Sequence, residues 1–318
     1  MKLESKNIVN KYSISKNKIE IIVAIVEGYV RKIGKEQIKG SNELIALLGV
    51  ISEIYPILDD QEKEMKRGEQ IIKKLLFDVT IGELSMISLH EGISNVGVFV
   101  SSLYKQTGRL KKELDLINKI LCKIIYVKYK QLTNLGLVRT SEFDVIYGAA
   151  GIGNYLLQFT NDLEVYSSLQ ILCEYLISIV RKNNRKTNMP GWYIDLKNEP
   201  LYEQYASYGE GYINYTISHG CGGILLFLVN AYRKGVIVNG QTEAIEDIVL
   251  EYLRLNKSSN GVWWSGILSK EEYKKGVFPP RGERQSWCSG NISVLYAIYK
   301  ASQLLLWKDT ERDIFQRI

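Results

Sequence analysis

Apolar segments without a charged residue recur along the sequence, and each begins directly after a turn that contains glycine. The clearest of them runs through residues 224–232 and follows glycines at positions 220, 222 and 223. A helix that is apolar on nearly all sides belongs inside a protein, and glycine permits both positive φ angles and the close approach of neighbouring chain. We therefore predict a buried helix that begins at this turn, with His219 at its mouth.

The same unit recurs at four marker glycines. Gly92, Gly148, Gly220 and Gly290 stand 56, 72 and 70 residues apart, and each interval has room for two helices and a connection. A repeat that cannot bury its apolar face alone needs neighbours of the same kind. The spacing predicts a ring or solenoid of helical hairpins, with the helices that follow the glycines in the inner layer.

The remaining pattern predicts the other helices and two interruptions. An apolar helix over residues 44–57 would be a fifth inner helix. Two long breaks, at residues 183–211 and 258–283, precede glycine turns, and the first includes a short strand within residues 190–196. Long loops that meet at one rim of a helical ring are where a site is built. Further helices of period 3.6 are predicted over residues 18–33, 63–77, 110–130 and 163–181.

Composition bounds the class of protein. With 46% hydrophobic residues and only five prolines, residues 1–318 fit a single all-helical domain. The net charge of +6 comes from 41 basic and 35 acidic residues without a clustered basic stripe, which argues against nucleic-acid binding. No signal peptide and no apolar run of membrane-spanning length are evident, so we expect a cytoplasmic protein that is not integral to a membrane. The four cysteines lack CxxC spacing and are expected to be thiols.

Two motifs carry a family resemblance. The chain contains His219-Gly220-x-x-Gly223 and then Arg284-Gln285-Ser286-Trp287-Cys288-Ser289-Gly290, which resemble the lanthionine synthetase C family. The segment from Phe143 through Asp144 to Gly151 is similar to the Asp-containing repeat of that family, and the likeness spans roughly residues 40–305. It implies an all-α, α/α toroid of seven inner and seven outer helices around a zinc ion, with short β and loop insertions. Here about five repeats are expected, because the later Cys-His-Gly repeat is missing, which predicts a C-terminally truncated cyclase.

The resemblance also implies an activity. Members of the family act on a lantibiotic precursor peptide whose dehydroalanine and dehydrobutyrine residues were made by a dehydratase. They add cysteine thiols of the same peptide across these double bonds to form thioether rings. The implied partners are the dehydrated precursor peptide and, within a biosynthetic complex, a dehydratase and a transporter, through which a cytoplasmic protein would become peripheral to the membrane.

The site residues follow from the same resemblance. Cys288 matches a zinc ligand, His219 the general acid or base, Asp144 its carboxylate partner, and Arg284 the cation that stabilises an enolate or fixes Asp144. The chemistry needs a thiolate, which zinc coordination supplies, and a proton donor for the enolate. Two of the three expected zinc ligands are absent, and Ser289 stands where the family commonly has tyrosine.

Alternatives remain open for each of these residues. Cys288 can be an inert buried thiol, His219 and Asp144 can cap backbone groups, and Arg284 can form a loop ion pair, while Cys221 and His90 are assigned structural roles. Two other functions are also open. One is a truncated non-catalytic scaffold of the same fold that binds a leader peptide or the dehydratase; the other is a toroidal glycoside hydrolase, which requires a second carboxylate beside Asp144.

Overall fold

The computed structural model describes residue 28 and residues 40–58, 60–136, 138–182, 188–199, 206–258, 266–276 and 286–317. Apart from Gly28, the predicted helix over residues 18–33 lies outside the described residues. Arg284 lies outside them too, as do parts of both predicted breaks.

The described residues are mainly helical, as predicted. Most predicted boundaries hold within a few residues; the helix predicted over residues 44–57, for example, ends in a separate 3₁₀ turn, Tyr55–Ile57. The longer α-helices of the described residues, together with the short α5 and α10, are α1 (Ser41–Ile54), α2 (Gln61–Thr80), α3 (Ile93–Thr107), α4 (Lys111–Leu135), α5 (Thr140–Phe143), α6 (Ala149–Leu156), α7 (Leu163–Val180), α8 (Cys221–Arg233), α9 (Gln241–Ser258), α10 (Lys270–Lys275), α11 (Asn291–Leu305) and α12 (Lys308–Arg317).

The described residues fall into two compact units. The first lies within Met1–Met86 and Glu91–Ile117, and the second lies within Ile87–His90 and Asn118–Ile318. The prediction of one domain over residues 1–318 stays a prediction. In the first unit, α1 packs against both α2 and α3. The contact with α3 is close, because a methyl group placed on Gly49 of α1 would lie 2.7 Å from the ring of Phe99.

The second unit shows the predicted alternation of two helical layers. Helix α8 packs against both α6 and α11, while α7, α9 and α12 each pack against the helix that precedes them in the chain. Apolar residues of α8 are buried around most of its circumference, including Ile224, Phe227 and Leu228. The predicted distinction between inner and outer helices is therefore confirmed within this unit.

The two kinds of helix begin differently. Outer helices α2 and α7 start at Asp60 and Asp162, whose carboxylates accept the exposed N–H groups of the first turn. Inner helices α3, α6, α8 and α11 start directly after the four marker glycines, without a side-chain cap from the glycine. The spacing of these glycines thus located the start of every one of these four helices.

Of the two predicted reasons for the glycines, positive φ angles and close approach of neighbouring chain, the first is wrong. Gly220 has φ −126° and ψ −170°, and Gly222 and Gly223 lie in the helix, so none of them needs a positive φ. Close approach is the cause. A methyl group on Gly220 would lie 2.4 Å from the carbonyl oxygen of Asn214, and one on Gly223 would lie 2.4 Å from that of Ile217.

A small antiparallel sheet lies between α7 and α11 in the chain. Its strands, in the order β1-β2-β3, are β1 (Ile194–Asp195), β2 (Gly211–Asn214) and β3 (Ile267–Ser269). The predicted strand within residues 190–196 is confirmed only for two residues, and β2, β3 and α10 were not predicted. Strand β2 is buried throughout and leads directly into the turn that carries His219.

One helix among the described residues has the length and composition of a membrane span, Leu163–Val180. It is also a packed helix of the second unit, since 56% of its residues are buried and it contacts α6, α8 and α9. Core helices of helical proteins pass the same test of length and hydropathy.

Candidate active site

Three turns of the second unit share one construction. We name them by their functional residues: the Asp144 turn (residues 144–148), the His219 turn (residues 216–220) and the Cys288 turn (residues 286–290). In each turn, the residue four positions before the marker glycine has a side-chain oxygen. That oxygen accepts a hydrogen bond from the backbone N–H of the residue directly before the glycine. The pairs are Asp144 with Tyr147 at 2.6 Å, Thr216 with His219 at 3.2 Å and Ser286 with Ser289 at 3.3 Å.

Backbone hydrogen bonds join these turns side by side. Val145 N–H donates to the carbonyl of Ser218 at 3.0 Å, and Ser218 N–H donates to the carbonyl of Cys288 at 3.1 Å. On the other side of the Asp144 turn, His90 N–H donates to the carbonyl of Ile146 at 3.1 Å. Residues more than 50 positions apart in sequence therefore lie in one continuous row.

The row brings Asp144 and His219 together. His219 Nδ1 lies 2.6 Å from Asp144 Oδ2; the carboxylate is fully buried, while 37% of the imidazole side chain is exposed. A carboxylate can only accept hydrogen bonds, so Nδ1 carries the hydrogen and donates it. The other ring nitrogen, Nε2, is then the one that can exchange a proton with a bound molecule.

Asp144 has two tasks at once. Its Oδ1 accepts the backbone N–H groups of Tyr147 at 2.6 Å and Gly148 at 2.9 Å, which fixes the turn and the start of α6. Its Oδ2 holds His219. Asp144 therefore caps the turn and also contacts the imidazole of His219.

Cys288 differs from the other cysteines. Its thiol is exposed, and the hydroxyls of Ser286 and Ser289 beside it lower its pKa. Burial raises the pKa of the other three thiols, to about 12 for Cys173. The prediction that Cys288 can be a buried thiol is therefore wrong. Ser218 ties it to the His219 turn, since both its N–H and its hydroxyl donate to the carbonyl of Cys288.

Comparisons with known proteins agree with this geometry. The family model described as lanthionine synthetase C-like protein matches residues 45–317. The chain belongs to the lanthionine synthetase C-like family. It is 26% identical over 299 residues to the nisin biosynthesis protein NisC of Lactococcus lactis subsp. lactis, covering 91% of this chain and 69% of that protein. The solved structure of a nisin cyclase matches with a TM-score of 0.79 and 20% identity, over 93% of this chain and 74% of that one. The predicted α/α toroid is thereby confirmed as the fold class.

The described residues do not supply a complete donor set for the zinc ion that the family resemblance implies. All four cysteines and both histidines are among the described residues. Across that part of the chain, no three His, Cys, Asp or Glu side chains lie close enough together to hold a metal ion. A catalytic zinc needs three protein ligands and an open position. Among the described residues, Cys288 is the single zinc ligand that the resemblance implies.

The sequence analysis did not predict two aromatic rings that lie beside the Asp144–His219 pair. The ring of Tyr147 lies parallel to that of His219, with centroids 6.4 Å apart and 23° between the planes. His90, which was assigned a structural role, is exposed and meets Tyr147 edge to face at 5.8 Å. The sequence held a signal for Tyr147, because it directly precedes a marker glycine just as His219 does. Arg284 stays a prediction, since it lies outside the described residues.

Proposed function

We propose that this protein is a lanthionine-forming peptide cyclase of lantibiotic biosynthesis. Its substrate is a precursor peptide that carries dehydroalanine or dehydrobutyrine, and the product is a thioether ring with a cysteine of the same peptide. The observation that supports this most is the bond between the buried carboxylate of Asp144 and Nδ1 of the half-exposed His219. It leaves a single imidazole nitrogen available for proton transfer beside bound peptide.

The proposed reaction uses that nitrogen twice. Nε2 of His219 takes the thiol proton, and the sulfur attacks Cβ of the unsaturated residue while the π pair moves onto the carbonyl as an enolate. Nε2–H then returns the proton to Cα, so a C–S bond has formed and no atom is gained or lost. Asp144 holds the imidazole in the required tautomer and stabilises its protonated form between the two steps.

Cys288 and Arg284 complete the proposed site. The Cys288 turn is bonded to the His219 turn, and we assign Cys288 to the side from which the attacking thiol approaches. Arg284 is assigned to the enolate or to Asp144. The same proposal places the protein in the cytoplasm, with a dehydratase and a transporter as partners that bring it to the membrane.

A non-catalytic subunit of the same fold is the alternative that the incomplete zinc donor set favours. Binding alone does not require a buried carboxylate dedicated to one exposed imidazole, so the cyclase accounts for more of the site. A glycoside hydrolase is disfavoured, because Asp144 is fully engaged by His219 and two backbone N–H groups.

The test is cyclisation of a synthetic peptide with dehydroalanine near its N-terminus and cysteine near its C-terminus. Ring closure removes the free thiol without a change in mass, so maleimide labelling followed by mass spectrometry measures it. We expect acceleration over buffer and a loss of about 10²–10⁴-fold in His219→Gln. Tyr155→Phe, which removes a buried hydroxyl bonded to Asn118, is the matched control and should retain activity. No acceleration by the unmodified protein, or full activity in His219→Gln, would contradict the proposal.

A further inference from the structure

The three rings beside Asp144 form a line that leads away from Cys288. Tyr147 lies against His219 with centroids 6.4 Å apart, and His90 lies against Tyr147 at 5.8 Å. None of the three is buried: His90 is exposed, and Tyr147 and His219 are intermediate. Ring surface is therefore accessible on the other two rings of this line, next to the proposed site.

The turns beneath the rings hold this line in place. His90 is tied to the Asp144 turn by its N–H bond to Ile146, and that turn is tied to the His219 turn by the bond from Val145 to Ser218. The backbone N–H of Tyr147 is bonded to the same carboxylate that holds His219. A backbone fixed in this way loses little conformational freedom when a molecule binds to the rings that it carries, which favours binding.

We propose that Tyr147 and His90 form a subsite for the stretch of dehydrated peptide that flanks the reacting residue. This subsite rests on the proposed function, because it extends the same site by two ring positions. Dehydroalanine, dehydrobutyrine and the peptide bonds beside them are planar and conjugated, and planar groups stack favourably on aromatic rings. In this subsite, Tyr147 makes the main contact with the peptide, and His90 contacts the peptide residues farthest from the reacting dehydroalanine.

The spacing fixes how far along the peptide the subsite reaches. Each ring-to-ring step is about the length of two residues of extended chain, which rises roughly 3.3 Å per residue. A peptide whose dehydroalanine lies at His219 therefore reaches His90 with about four flanking residues. A single blocked dehydroalanine cannot reach it.

The experiment uses the two histidines as separate reporters. The protein is labelled with ¹³C at the histidine ring, and the two signals are assigned with His90→Gln. Two thiol-free probes are titrated: N-acetyl-dehydroalanine methylamide, and a nonapeptide of glycine and alanine with dehydroalanine at its centre. Neither probe can cyclise, so only binding is observed.

We expect the short probe to shift the His219 signal alone and the nonapeptide to shift both signals. In Tyr147→Ala, the nonapeptide should no longer shift His90, and its affinity should fall about three- to tenfold, as expected for the loss of one ring contact. Tyr147→Phe keeps the ring and should keep both effects. The backbone bond of residue 147 to Asp144 survives either substitution, and thermal unfolding checks that both variants fold.

The outcomes separate the two proposals. If both probes shift His219 but the nonapeptide leaves His90 unmoved, or if Tyr147→Ala binds the nonapeptide as well as the unmodified protein, the subsite is wrong and the cyclase proposal stands. If neither probe shifts His219 or His90, both proposals are contradicted.

Discussion

The Asp144 turn and the His219 turn are two copies of one scaffold with different uses. Each ends in a glycine that begins an inner helix, and each has a second glycine three residues later, Gly151 or Gly223. That second glycine lies against the carbonyl six residues before it: an added methyl group would be 1.9 Å from Val145 O in one copy and 2.4 Å from Ile217 O in the other. The packing of the backbone is therefore the same in both.

The difference lies in the side chain four residues before the marker glycine. The Thr216 side chain has one oxygen, which accepts the N–H of His219 and donates to Asn214 Oδ1, so all of its contacts lie within its own turn and the residues beside it. Asp144 has two oxygens. One builds its own turn, and the other is left to hold the imidazole of the neighbouring turn. A repeated structural position acquires a chemical role here because an aspartate has one acceptor more than the turn requires.

The largest effect is expected for Asp144→Asn, which removes the charge and keeps the shape. The amide oxygen has to stay on the N–H groups of Tyr147 and Gly148, so the amide NH₂ faces His219 Nδ1. An amide donor there forces the hydrogen onto Nε2, which can then no longer accept the thiol proton. We expect cyclisation to fall about 10²–10⁴-fold. Thermal unfolding close to that of the unmodified protein serves as the control, and a rate within threefold of normal would contradict the assignment.

The shared scaffold is tested by Gly151→Ala and Gly223→Ala. Each added methyl group meets a carbonyl oxygen that cannot move freely, so we expect each substitution to cost about 3 kcal/mol in the free energy of unfolding. Gly68→Ala in helix α2 is the matched control, since its methyl group would lie 3.8 Å from Leu48 and alanine favours a helix. Denaturant unfolding measures all three. Equal midpoints for Gly223→Ala and Gly68→Ala would show that the close approach is not required.

A smaller effect is expected for Thr216→Ala. The substitution leaves the buried N–H of His219 without its acceptor, and we expect a loss of about 1 kcal/mol in stability. Asp144 Oδ2 still holds the imidazole, so cyclisation should fall much less than in Asp144→Asn. Thr216→Ser keeps the hydroxyl and should behave like the unmodified protein. A loss of activity in Thr216→Ala as large as that in Asp144→Asn would contradict the division of tasks between the two turns.

The smallest effect concerns the third turn. The hydroxyls of Ser286 and Ser289 lower the pKa of Cys288, so the thiolate forms at lower pH than in an ordinary cysteine. The rate of iodoacetamide labelling should therefore rise with pH through a midpoint below 9.0, with one thiol labelled per native chain because the other three are buried. Ser286→Ala should move the midpoint upward, and Ser289→Ala less so. A midpoint that neither variant changes would contradict this account.

The sequence predicted the repeated parts of this molecule well, for a physical reason. Close packing at Gly148 and Gly220 tolerates no side chain, so glycine marks the start of these two helices in the sequence. The polar residues Asp144, Thr216 and Ser286 four positions earlier form a second periodic signal, which was present in the sequence and was not used. The pairing of Asp144 with His219 came from the family resemblance.

What could not be predicted depends on contacts between distant parts of the chain. The bond from Ser218 N–H to the carbonyl of Cys288 joins backbone groups, which every residue type carries, so the sequence holds no mark of it. Strand β2 is buried on both faces and four residues long, and it therefore shows no alternation of polar and apolar positions. Helix α10 is different: its capping box, Ser269 with Glu272, is a local signal by which it could have been found.

The most direct test of the account is the tautomer of His219, measured by ¹⁵N NMR at a pH where the ring is neutral. With only two histidines, His219 is assigned by comparison with His90→Gln, and His90 serves as the internal reference. We predict hydrogen on Nδ1 in the unmodified protein and on Nε2 in Asp144→Asn, with the His90 signals unchanged. The same tautomer in both proteins, or hydrogen on Nε2 in the unmodified one, would contradict the claim that the second oxygen of Asp144 prepares His219 for proton transfer.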